Sequence, residues 1–287
     1  MLVSGSRRLE LKLGVMQGRL IPSRGRGIQF FPFEEWEKEF GLAAKLGLDA
    51  IEFIFDLERS AENPLMSSEG RARIRELIGE HNVLVRHICA DFFMRQTPFV
   101  GDRAQRKENE KVLRELIQAA LEIGASSVEI PLLEKSSLRT EADEKKFIDF
   151  LRTGLDFAHQ SEVQLSLETD LPPRKLLALV ETISHPALAL TYDSGNSASL
   201  GYDSYEEITV LGEYISNVHI KDRILGGGTV PLGGGHANFE RLFRGLGEIG
   251  YRGSFTLQAA RGEEGKEKET IAEYISFVSG YIERYLV

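Results

Sequence analysis

One unit recurs along the whole of this 287-residue chain: an amphipathic helical stretch, a glycine or polar break, a short apolar run, then polar residues. "FGLAAKLGLDAIEFIFD" (40–56) shows it plainly, and "ELIGEHNVLVRHICAD" (76–91), "LIQAALEIGASSVEIPLLE" (116–134) and "FAHQSEVQLSLETD" (157–170) repeat it. It returns in "LVETISHPALALTYDSGN" (179–196), "VLGEYISNVHIKDR" (210–223) and "LFRGLGEIGYRGSFTLQ" (242–258). "LKLGVMQGRL" (11–20) supplies a first strand and "KETIAEYISFVSGYIERYL" (268–286) a last helix. Crossovers of roughly thirty residues favour parallel pairing. Eight such units predict an α/β fold, a single (β/α)8 TIM barrel with its active site at the C-terminal ends of the strands. An open doubly wound sheet uses the same alternation. The lack of a Gly-x-Gly-x-x-Gly after the first strand and of a domain linker favours the barrel. Residues 1–10 read as a short flexible N-terminal tail and 11–287 as the barrel domain. The longest irregular stretches, "IPSRGRGIQFFP" (21–32) and "ILGGGTVPLGGGHANF" (224–239), follow strands and so belong on the catalytic face.

Composition narrows the function. With 44 acidic against 35 basic residues the formal charge is −9, which argues against a large nucleic-acid surface. No apolar run is long enough to span a bilayer, so no membrane partner is expected. The first residues carry no secretory cleavage pattern. The one cysteine, Cys89, lies in the apolar run "VLVRHICA" and reads as a buried structural thiol rather than a nucleophile. A single cysteine fits a reducing compartment, hence a cytoplasmic protein. Association into a homo-oligomer is compatible with the sequence.

In a barrel the strand ends are where chemistry collects, and here they are polar. Strand 5, "VQLSLE", ends on Glu168, and Asp170 two residues on reads as a helix cap. Strand 6, "ALALTYD", ends on Asp193; strand 7, "ISNVHIKD", carries His219, Lys221 and Asp222; strand 8, "GSFTLQ", ends on Gln258. A carboxylate at the end of an apolar strand is costly to desolvate unless something compensates. Two carboxylates, an imidazole and an amide oxygen converging on one point suit one divalent ion of the Mn²⁺, Co²⁺, Zn²⁺ or Mg²⁺ kind. A plain polar network is the alternative.

The motifs "LETD", "YDSGNSASLGYD", "NVHIKDR" and "VPLGGGHANFERLFRGLGEIGYRGSFTLQ", in this order, resemble the xylose-isomerase-like barrel superfamily of sugar phosphate isomerases and epimerases. The likeness runs from about Leu11 to the end of the chain. It implies a metal held by Glu168, Asp193, His219 and Gln258, and a sugar or sugar phosphate as substrate. The family's usual residue at the last position is glutamate. An amide oxygen can complete a metal site but cannot take a proton from carbon. Ketose 3-epimerases of this superfamily resemble two-base machines, so Gln258 removes one base and leaves Glu168. One base suits aldose–ketose isomerisation through an enediolate. Glu134, after "VEIPLL", is a candidate second base or a solvated loop residue. Inosose-type dehydration on the same scaffold and a non-catalytic sugar-binding protein remain alternatives.

Asn196 is a second departure, where relatives often carry His. The apurinic-site endonucleases that share the fold need several extra histidines. Of the six here only His87, His219 and His236 are placed to reach the mouth. Substrate-binding candidates are Glu52 in "AIEFIFD", His87 on strand 3, Asn196, Lys221 and Arg223, the last by a forked contact to a hydroxyl or phosphate. The two "GGG" runs lack the Lys-Ser/Thr of a nucleotide loop and read as flexible turns of a closing loop. "RGEEGKEKE" (261–269) reads as a solvated helix start.

Overall fold

The computed structural model describes residues 13–287, so the tail assigned to 1–10 lies outside the described residues. Eight parallel strands close into a barrel. They are β1 (Leu13–Met16), β2 (Ala50–Ile54), β3 (Leu84–Cys89), β4 (Ser127–Leu132), β5 (Gln164–Thr169), β6 (Leu188–Asp193) and β7 (Ile215–Ile220). A short antiparallel arm, β8 (Asp222–Arg223) with β9 (Thr229–Val230), precedes the last barrel strand, β10 (Ser254–Leu257). The closed order is β1-β10-β7-β6-β5-β4-β3-β2. β1 seals the barrel by pairing with β2 on one side and with β10 on the other. The strands are covered on both faces, as parallel strands under a helical shell must be. All five residues of β2 and all six of β6 are buried.

The helical layer is formed by α1 (Trp36–Lys45), α2 (Ser68–His81), α3 (Phe92–Arg95), α4 (Arg103–Ile123) and α5 (Glu141–Gln160). It continues with α6 (Pro173–Ile183), α7 (Ser194–Leu200), α8 (Ser204–Leu211), α9 (Phe239–Glu248) and α10 (Glu267–Tyr285). Local chemistry sets their ends. Asp102 caps α4 through Gln105 N, and Thr140 with Asp143 forms a reciprocal capping box on α5. Asp170 does not cap α6 as expected. That helix begins with Pro173 at its first position, whose ring pre-sets the helical turn, and the Asp170 carboxylate accepts from the Ser137 hydroxyl instead. No described helix is long and apolar enough to cross a membrane.

The apolar core lies between strands and helices, whereas the inside of the barrel is polar. Glu52, His87, Glu129, Ser166, Asn217, His219 and Thr256 are all buried. They bond one another across strands: Ser166 to Thr191, Asn217 to Glu52, Thr256 to Asn217. Branched apolar side chains usually fill such a barrel. A polar interior is expensive and contributes little to stability, so its purpose is to be sought at the mouth.

Candidate functional site

Three strand ends bring their side chains together. One ligand atom each from Glu168, Asp193 and His219 lies within 4.8 Å of the others. All three residues are buried, and so is Gln258, directly after β10, which shares the Lys221 ammonium with Asp193. Register explains the convergence: Asp193 pairs with His219 across β6 and β7, and Thr256, two residues before Gln258, pairs with His219 across β7 and β10.

His219 is oriented from below. Its Nε2 lies 3.1 Å from both Glu52 carboxylate oxygens and 3.3 Å from Glu129 Oε2. Its Nδ1 is buried without a hydrogen-bond partner among the described residues and faces Asp193 Oδ2 at 3.9 Å. An imidazole anchored through one nitrogen with the other bare and aimed at two carboxylates is arranged as a metal ligand. The donor set therefore fits a divalent cation: two carboxylates and one imidazole nitrogen.

The electrostatics agree. Burial opposes charge on Glu52, yet the facing imidazole of His219 overrides it and holds the carboxyl down at about 2. Burial pushes Glu129 well above the carboxylate range. Burial, with Asp193 beside it, lifts Glu168 to about 7. Burial would lower His219, but Glu52 and Glu129 together hold its imidazole well above the usual value. Four carboxyl groups surround one imidazole, and burial keeps the Glu129 carboxyl protonated while the His219 imidazole carries the balancing charge.

The remaining candidates divide. Asn196 donates from Nδ2 to Glu168 Oε1 at 2.6 Å and accepts from Arg223 Nη1 at 2.8 Å. Lys221 donates from Nζ to Gln258 Oε1 at 3.0 Å and to Asp193 Oδ2 at 3.3 Å. The chain can bring Lys221 so close because position 195 is glycine: a Cβ there would stand 2.7 Å from Lys221 Cγ. Glu52 reaches the site only through His219. His87 lies deeper, its ring nitrogens against the hydroxyls of Ser127 and Ser254, the first residues of β4 and β10. Glu134 is exposed, on a left-handed backbone at φ 54°, and is not part of the cluster. His236 is exposed and takes the backbone N–H of Leu225. Cys89 is buried and its thiol is pushed well up by burial, as a structural thiol would be. The second glycine run is pinned rather than loose: the Asp222 carboxylate accepts from Gly233, Gly235 and Ala237 N–H.

The sequence offers no reading of Glu129, Gln29, Asp91 or Arg19, and it places Arg261 in a solvated helix start. Glu129 was findable, since "VEIP" repeats on β4 the acid-within-apolar-run pattern of "IEFI" on β2. Gln29 sits in the irregular loop after β1 and carries no pattern of its own. Arg261 is no solvated helix start; it donates to the carbonyls of Gly18, Ile21 and Ile28 and straps that loop to the barrel.

The sequence profile described as xylose isomerase-like TIM barrel matches residues 40–278. The L-ribulose-5-phosphate 3-epimerase UlaE of Salmonella heidelberg is 28% identical over 233 residues, covering 78% of this chain and 82% of its own length. The crystal structure of IOLI protein with a bound zinc atom superposes with a TM-score of 0.76 at 18% identity, covering 96% of this chain and 99% of that one. A D-allulose 3-epimerase from Methylomonas sp. gives a TM-score of 0.74 at 17% identity over 94% of this chain and 98% of its own.

Proposed function

Because the chain belongs to the xylose isomerase-like TIM barrel family, we propose that it is a divalent-metal-dependent isomerase or epimerase of a sugar or sugar phosphate, with Glu168 as its base. The observation that carries this reading is the bare, buried Nδ1 of His219 facing Asp193, with Glu168 within ligand reach of both. Glu168, Asp193, His219 and Gln258 would hold the ion, which when bound supplies a positive charge that polarises a substrate carbonyl and its neighbouring hydroxyl.

The chain's own residues do the rest. Glu168, lifted to about 7 before any ion binds, would give up its proton on metal binding and stand as a carboxylate that takes a proton from carbon. The C–H electron pair forms the C=C bond of an enediolate as the carbonyl pair moves onto oxygen; the proton then returns from the carboxyl to the neighbouring carbon, and the hydroxyl proton passes to the former carbonyl oxygen. Asn196 holds one oxygen of Glu168 throughout, and Arg223 holds Asn196. Lys221 supplies a second positive charge at the developing oxyanion. The amide at Gln258 cannot exchange protons with carbon, which favours return by Glu168 on the same face, as in aldose–ketose isomerisation. The 28% identity to an L-ribulose-5-phosphate 3-epimerase favours a second reading, inversion at C3 of a ketose or ketose phosphate.

The two separate in deuterium oxide. A panel of ketoses and ketose 5-phosphates is incubated with the Mn²⁺-loaded protein and the recovered sugars are read by NMR. Deuterium at C1 or C2 marks isomerisation and deuterium at C3 marks epimerisation. No incorporation and no new sugar anywhere in the panel, with Mn²⁺ bound, would sink the proton-transfer reading and leave a sugar-binding protein.

A further inference from the structure

Gln258 is one end of a chain of side-chain amides whose polarity is set by groups that can bond in only one sense. Its Nε2 donates to Gln29 Oε1 at 3.1 Å, and Gln29 Nε2 donates to Asp91 Oδ2 at 2.7 Å. Amide nitrogen and oxygen look alike in outline, so the direction must come from the neighbours. An ionised carboxylate only accepts, so the Gln29 atom facing Asp91 is the nitrogen. An arginine only donates: Arg19 Nη2 lies 3.4 Å from the other Gln29 atom, which is therefore the oxygen. An ammonium only donates: Lys221 Nζ faces the outer atom of Gln258, again the oxygen. Three independent constraints agree on one orientation.

The loop that carries Gln29 is fixed with matching care. Arg19 is 3% exposed and donates from Nη1 to the Ile28 carbonyl and from Nε to the Ala259 carbonyl. Arg261 takes the same Ile28 carbonyl through Nε at 3.0 Å. The residue before Gln29 is thus clamped by two guanidinium groups, one of them also tied to the residue after Gln258. Gly18 lets the loop turn in, at φ +81°, where a Cβ would meet the Phe30 carbonyl oxygen at 2.8 Å. Glu39 takes the Gly18 and Leu20 N–H groups from beneath.

We propose that Gln29 is a positioning residue that commits the eighth strand end to an amide: it accepts the Gln258 N–H, so that the Gln258 oxygen alone is turned into the site. The assignment rests on the metal reading above for its consequence, but not for its geometry. A glutamate at position 258 would have no N–H to give, and would set a carboxylate oxygen against Gln29 Oε1. Turning Gln29 over would then set its oxygen against Asp91 and its NH2 against Arg19. The amide is therefore built into the surrounding loop, and is more than a glutamate that has lost its charge.

Two measurements test this. In the metal-free protein, selectively labelled glutamine should show the Gln258 side-chain amide protons shifted downfield from the free-amide position, and Gln29→Met should return them to it. A wild-type resonance already at the free-amide position would remove the relay whether or not the protein binds metal. In the second, Mn²⁺ affinity is measured by calorimetry in a four-protein cycle. Gln29→Met should weaken binding roughly 10-fold or more in the wild-type background, the usual cost of losing a group that orients a ligand. In the Gln258→Glu background the same change should leave affinity unchanged or improve it. An equal loss in both backgrounds would mean that Gln29 matters only to folding of the loop, and would overturn the proposal. Wild-type protein that binds no Mn²⁺ would refute the metal site, and the resonance would still decide the relay.

Discussion

The side-chain amide of Asn196 donates to Glu168 Oε1 at 2.6 Å, so the residue three after Asp193 on α7 holds the carboxyl of β5. Asp193 Oδ1 in turn takes the Asn196 backbone N–H at 2.7 Å, which locks the amide's starting point. Replacing Asn196 by Asp puts a second carboxylate where a donor stood. Repulsion should then raise Glu168 above its value of about 7. The Glu168 carboxyl carbon, followed by NMR titration of the metal-free protein, is expected to move its midpoint up by about one unit. An unmoved midpoint would show that Asn196 does not hold the Glu168 carboxyl.

Metal binding should release protons. Glu168, at about 7, and His219, held well above its ordinary value by Glu52 and Glu129, both carry protons that a cation must displace. Affinity for Mn²⁺ should therefore fall as pH drops from 8 to 6, whereas a site of ordinary carboxylates would be flat there. Calorimetry in buffers of different ionisation enthalpy reads the released protons directly. His219→Ala should weaken binding strongly, and Cys89→Ser should leave it unchanged.

Lys221 shares Asp193 and Gln258 with the proposed cation. Two positive charges on one carboxylate repel even through a high effective dielectric. Lys221→Met should tighten Mn²⁺ binding several-fold while lowering turnover, since the charge that competes with the ion is also the one placed to steady an oxyanion. A variant that loses affinity would assign Lys221 to holding the site together instead.

Glu39 is fully buried under the Gly18 turn and burial lifts it to about 7 from an ordinary 4.5. A carboxyl whose folded value exceeds its unfolded one takes up an extra proton on folding between the two. Stability should thus fall as pH rises from about 4.5 to about 7, by on the order of 3 kcal/mol, and be flat in this contribution outside that window. Denaturant midpoints between pH 4.5 and 8 should show the slope for the wild type and a shallower one for Glu39→Gln, which cannot titrate.

Glu168→Gln should lower deuterium incorporation by about 10² to 10⁴, the usual worth of a general base. Gln258→Glu should add incorporation at C3 of ketoses, because a second carboxylate could then face Glu168 across the substrate carbon. The gain should be larger when Gln29→Met is made with it. Full proton transfer by Glu168→Gln, measured on the same substrates, would move the base elsewhere.

The eight-fold alternation of helical and apolar runs was enough to fix the closed barrel, because periodicity is local and each unit reports its own element. The strand-end residues Glu168, Asp193, His219 and Gln258 were legible for the same reason: once strands are counted, their C-terminal ends are known to share one face. Glu52 and His87 show where that logic stops. Both lie on barrel strands and point inward, but how deep each sits depends on strand register, which no local pattern encodes. Glu52 ends beneath His219 and His87 lower still, between Ser127 and Ser254. Gln29 and Arg261 are further from reach. Their partners are more than two hundred residues away in the chain, Gln258 for one and Gly18, Ile21 and Ile28 for the other. The barrel and the polar side chains at its mouth follow from local patterns along the chain. Which nitrogen of His219 is bare, which way the Gln258 amide points and how far Glu168 is lifted emerge only once the barrel closes, because each follows from long-range hydrogen bonding and burial rather than from neighbours in sequence.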